Sequence, residues 1–143
     1  MSSSGPRAVT LLRSTTLSDR AEYAYTATVR AGARLVFLAG SCPLDREGQT
    51  VGVGDFAAQA AQCVENMTIA LAEAGAELTD VVSTRVLVAS TRRDDLGAAW
   101  RVVRDAFGNH DAPSTLLGVT VLGYENQLVE IEAVAAVLDE ITD

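Results

Sequence analysis

The chain has 143 residues, nearly half of them apolar and 21% charged, with a formal net charge of −8. That is the length of one domain with enough apolar material for a core, and its negative field disfavours nucleic-acid backbones and anionic membrane surfaces as partners. Two cysteines and one histidine supply neither a disulfide framework nor a structural zinc set, so a reduced, cytoplasmic setting without a metal is expected.

Residues 1–20 read as a flexible N-terminal arm, with a candidate first strand over 8–12, and residues 21–143 as a single α+β domain. From residue 25 the pattern alternates. Tyr25, Ala27 and Val29 fall on one side and Thr26, Thr28 and Arg30 on the other, the two-residue period of a strand. A second β-prone run over 34–40 follows Gly32, and the two runs are expected to form a hairpin. Pro43, Gly48, Gly52 and Gly54 then keep the connection irregular.

A helix follows. Phe56, Ala60, Cys63, Met67, Leu71 and Ala74 recur at steps of three and four, one apolar stripe that makes Cys63 and Met67 core residues. Asp55 is placed to cap the first turn, and Gly75 to end the last in a left-handed conformation. Residues 81–88 are β-branched and apolar, a strand. Thr91 with Asp94 resembles a capping box for a second helix, whose stripe is Leu96, Trp100, Val103 and Phe107 and whose end is Gly108. Trp100 suits a core or interface anchor and, alternatively, a stacking platform for a ligand. His110 sits just past the helix, where a cation offsets the dipole.

Two closing strands follow Pro113, with a break at residues 123–126. In the last, Val129, Ile131 and Ala133 alternate with Glu130 and Glu132, so both carboxylates share a side. Such a strand is either a solvated edge or half of a polar cleft. Two helices on one face of a mixed sheet make a two-layer α+β subunit. The second face then needs a cover, which self-association into a closed ring would supply.

At this point the residues resemble a family. The strand at 35–38 running into Ala39, Gly40, Ser41, Cys42 and Pro43, the helix with Gln59, Val64, Glu65 and Asn66, the pair Ala74 and Gly75, and the closing run at 129–134 are similar to the Rid (YjgF-type) reactive-intermediate deaminases. The likeness runs from about residue 25 to residue 137. It implies a chorismate-mutase-like fold and a homotrimer with clefts between subunits. It also implies hydrolysis of an imine or enamine to a ketone and ammonia, with no metal or organic cofactor.

In such proteins a glutamate of the last strand helps position the water, and the resemblance puts it at Glu130. A tyrosine lining the cleft maps onto Tyr25, with Tyr23 close by. An arginine that grips the substrate carboxylate is replaced by Thr115. Ala39 stands where the family has serine, Trp100 where asparagine is common, and Leu117 where some members carry a thiol. Arg85, on the central strand, is the candidate for a substitute cation.

A threonine hydroxyl cannot reproduce the paired, charge-assisted bonds of a guanidinium. A standard amino-acid-derived imine is therefore not the expected substrate. The sequence points to a small, less acidic and more apolar imine or enamine. The alternative is a non-catalytic trimer that binds a small molecule.

Overall fold

The computed structural model describes residues 7–139. Strand β1 (Val9–Leu12) pairs antiparallel with β2 (Thr26–Val29), and both stand apart from a four-stranded sheet. That sheet contains β3 (Arg34–Phe37), β4 (Val81–Val88), β5 (Ser114–Gly118) and β6 (Val129–Val137) in the order β3-β6-β4-β5. Only the β4–β5 pair is parallel, joined by a helical crossover, so the sheet is mixed. The hairpin expected between the runs at 25–29 and 34–40 is not among the ladders of the described residues. β2 bonds to β1, while β3 bonds to β6. Alternation identifies a strand but carries no information about its partner.

Helix α1 (Phe56–Glu73) begins where its sequence says it should. The Asp55 carboxylate accepts the Ala58 N–H at 3.0 Å, and Gly75 beyond the last turn has φ +79°. Helix α2 (Arg93–Phe107) starts differently from the expected capping box. Its cap residue is Arg92, which makes no side-chain cap bond. Ser90 takes over, accepting the Arg92 N–H at 3.0 Å and donating to Asp95 at 2.7 Å.

Both helices lie on the same side of the sheet. Val129, Ile131, Ala133 and Ala135 of β6 form one buried cluster with Ala60, Cys63, Met67 and Leu71 of α1 and Ala99 and Val103 of α2. Burying a side chain the size of Met67 or Leu71 is worth about 1.5–3 kcal/mol over leaving it in water.

The alternate residues of β6 point the other way. Of these, Ala136 is covered, packed with Ala8 and Val9 at the β1–β2 hairpin. The rest of the face is uncovered within the single chain. On the edge strand β3, Phe37 is 73% exposed and Leu35 49%.

Candidate functional site

The site begins with a break in register. Three residues lie between Phe37 and Ser41, while two lie between their partners Val134 and Ile131. The extra residue makes the chain bulge at 38–40, a device that re-aims neighbouring groups. Glu130 occupies the room beside the bulge. A Cβ placed on Gly40 would lie 2.3 Å from Glu130 Oε2. Gly40 is not among the glycines with positive φ, so space alone excludes a side chain here.

The Glu130 carboxylate is held at one oxygen. The Cys42 thiol donates to Oε1 at 3.2 Å and Gln127 Nε2 at 3.1 Å. Gln127 is itself buried and locked, since its own Oε1 accepts the Tyr124 N–H at 3.0 Å. Burial first, then the bond to Glu130 and its charge, push the Cys42 thiol up to about 11. It therefore keeps its proton, and remains a donor, at neutral pH.

Helix α1 holds both donors in place. Asn66 Nδ2 donates to the carbonyls of Cys42 at 2.8 Å and Leu44 at 2.9 Å. One turn and three residues earlier, the fully buried Gln59 donates to the Asn126 carbonyl at 2.9 Å and accepts the Leu128 N–H at 2.7 Å. One helix face thus fixes the loop carrying Cys42 and the loop carrying Gln127.

The other predicted residues fall in two further places. Tyr25, Trp100 and Thr115 line a groove of about 500 Å³ at the β5 edge, together with Tyr23, Arg20 and Glu22. The Tyr23 ring stands edge-on to both Tyr25 and Trp100, at 6.2 and 6.0 Å between centroids. Trp100 Nε1 donates to Glu22 at 3.2 Å. Arg104 also pairs with Glu22 and, as the larger cause, holds its carboxyl below the usual range.

Arg85 ties these places together. It is the ladder partner of Thr115 on one side and of Glu132 on the other, and its guanidinium meets Glu132 at 3.0 Å. Leu87, two residues on, is partner to both Leu117 and Glu130. The open face therefore carries two rows, one polar through Arg85 and one running from Glu130 to Leu117. Two strand spacings, about 10 Å, separate their ends. A depression of about 230 Å³ lined by Phe37, Gly40, Ser83, Arg85 and Glu132 lies along the polar row. Ala39 is exposed in the bulge. His110 lies elsewhere, its Nε2 donating to the Val81 carbonyl at 2.8 Å.

Sequence reasoning did not find Cys42 or Gln127 as site residues. Cys42 lies 88 positions from Glu130, and no spacing rule connects them. Gln127 left a weak signal, a long amide at the entry to an alternating strand, three residues before the acid it contacts.

Comparison with known proteins identifies the family and the fold. The sequence model of the family described as Endoribonuclease L-PSP matches residues 16–137. A RutC family protein of Pyrococcus abyssi is 31% identical over 111 residues, covering 78% of this chain and 84% of that protein. Among solved structures, YyfB of Yersinia pestis, a Rid-family protein of unknown function, superposes with a TM-score of 0.83 at 28% identity, covering 91% of this chain and 99% of that one. A YjgF/YER057c/UK114 family member of Mycobacterium tuberculosis matches with a TM-score of 0.62 at 32% identity, covering 90% and 99%.

Proposed function

The chain belongs to the endoribonuclease L-PSP family, the group of the Rid and YjgF proteins, and on that premise we propose that it hydrolyses a small reactive imine or enamine. The reaction runs at Glu130, on the sheet face that the single chain leaves open. The observation that carries this reading is the Glu130 carboxylate, fixed at Oε1 by two donors while Oε2 stands over Gly40.

In this mechanism Glu130 orients and deprotonates the water that attacks the imine carbon. Glu130 returns that proton to the substrate nitrogen, and the carbinolamine so formed collapses to a ketone as its hydroxyl proton passes to the nitrogen, which leaves as ammonia. The reaction is a hydrolysis and changes no oxidation state.

Catalysis takes place in a homotrimer. Tyr25, Trp100 and Thr115 are too far across the sheet from Glu130 to share one small substrate within a protomer. The exposed Phe37 and Leu35, paired with Val134 and Ala136 on the same face of the sheet as Glu130, are apolar surface that a neighbouring copy would cover. Ala39, Leu117 and the aromatic groove give the assembled cleft an apolar lining, with Thr115 offering a hydroxyl in place of a cation. The substrate is accordingly an imine without a carboxylate, or one whose carboxylate reaches Arg85. The −8 charge argues against an RNA phosphate backbone as substrate.

Ammonia release from a panel of imines generated in place tests this reading. The panel pairs neutral imines with 2-imino acids of the same size. Turnover of the neutral members and weak turnover of the 2-imino acids is the expected result. Thr115→Arg should raise activity on 2-imino acids by at least about tenfold. Saturable ligand binding without turnover of any member would favour the alternative, a trimer that binds a small molecule without transforming it.

A further inference from the structure

Two side chains, one 88 positions away and one three, converge on one carboxylate oxygen, and this convergence has a catalytic meaning if Glu130 acts as the base of the proposed reaction. Oε1 receives the thiol of Cys42 and the amide of Gln127. A carboxylate oxygen offers about two lone-pair sites, so two donors leave Oε1 nothing further to accept. Oε2 lies on the Gly40 side, where a Cβ would meet it at 2.3 Å. Gly40 also lines the depression that contains Arg85 and Glu132.

We infer that Cys42 and Gln127 are positioning residues that saturate Oε1 of Glu130 and so leave Oε2 as the single oxygen that takes a proton from the attacking water. The thiol serves as a donor here and forms no bond with substrate. Its proton stays on sulfur, and the carboxylate is the only group that changes protonation. The clamp is preorganised through α1, because Asn66 fixes the Cys42 carbonyl and Gln59 fixes the chain on either side of Gln127. This matters for rate because a base held in one geometry avoids reorganising during the reaction.

The pairing can be read without any substrate. In the intact protein at pH 8, alkylation of Cys42 by iodoacetamide is followed by peptide mass, with wild type and Glu130→Gln compared. Glu130→Gln removes the charge that helps hold the thiol protonated, and Glu130→Ala removes the hydrogen bond as well. Each unit by which the thiol falls raises the thiolate tenfold, partly offset by its lower nucleophilicity, so a net acceleration of about threefold per unit is expected. Equal rates in the two proteins would overturn the inference. Thermal unfolding of both, and the same comparison in Glu130→Ala, guards against a folding defect.

Turnover supplies the second arm. Cys42→Ala should lower kcat about fivefold to tenfold with KM nearly unchanged, the loss of one hydrogen bond to the reacting base. Cys42→Ser, which restores a donor, should recover most of it and return the pH profile of kcat to that of wild type. A Cys42→Ala protein with wild-type kcat would contradict the positioning role. If no protein in the series turns over an imine, the proposed reaction fails, and the alkylation comparison still decides whether Cys42 and Glu130 are coupled.

Discussion

The Sγ of Cys42 and the Oε1 of Glu130 lie 3.2 Å apart, joining the loop after the bulge to the middle of the last strand. Burial of the thiol first, and this contact second, set a dependence of stability on pH. The Cys42 thiol rises from its ordinary value near 9.0 to about 11 in the folded chain, and Cys63 is pushed upward too, chiefly by burial. Folding therefore favours the protonated thiols, and that contribution is complete below pH 9. Between about pH 9 and 11 the unfolded chain loses the Cys42 proton while the folded chain keeps it, so stability falls as pH climbs. Urea midpoints at pH 8, 9.5 and 10.5 should fall less steeply for Cys42→Ser than for wild type. Parallel curves would remove Cys42 as a source of the alkaline loss.

Gly40 is required by its neighbour. A methyl group at this position would sit 2.3 Å from Glu130 Oε2 and 2.7 Å from its Cδ, so Gly40→Ala must swing the carboxylate off its two donors. Activity should fall by about tenfold or more while the thermal midpoint changes by only a few degrees. Unchanged kcat in Gly40→Ala would show that the Glu130 geometry described here does not matter to turnover.

Gln59 bridges α1 to the chain entering β6 and is wholly buried. In Gln59→Leu the Leu128 N–H and the Asn126 carbonyl lose their partner within the protein. The expected cost is about 1–3 kcal/mol by chemical denaturation. A larger fractional loss of activity should accompany it, because Gln127 lies between the two tethered residues. A cost below about 0.5 kcal/mol would place the hold on this loop elsewhere.

Much of the architecture was legible because periodicity and capping are local. The α1 stripe, its Asp55 cap and its Gly75 exit appear as the spacing predicts, and Cys63 and Met67 lie in the core. The alternation of Glu130 and Glu132 against Val129 and Ile131 separates an open face from a buried one in β6. Partner choice was not legible. The strand at 34–37 bonds to β6, about a hundred residues away, in preference to its sequence neighbour. The start of α2 departs from the expected capping box because its cap residue is Arg92, with Ser90 tied to the Arg92 N–H and to Asp95. The same limit hid Cys42 and Gln127, which meet Glu130 only after a bulge and two helix amides have placed them. Arg85 was picked out as the cation of the central strand, and its contact with Glu132 became visible only once the β4–β6 register was known.

The central claim is that the Glu130 carboxylate performs the hydrolysis, and the most direct measurement is single-turnover ammonia release from the best imine substrate by wild type and Glu130→Gln. The substitution keeps the size of the side chain and its capacity to accept a hydrogen bond, but it removes the base. A loss of at least about a hundredfold in the chemical step, with substrate binding retained, is the predicted result. Ammonia release at the wild-type rate from Glu130→Gln would contradict the account.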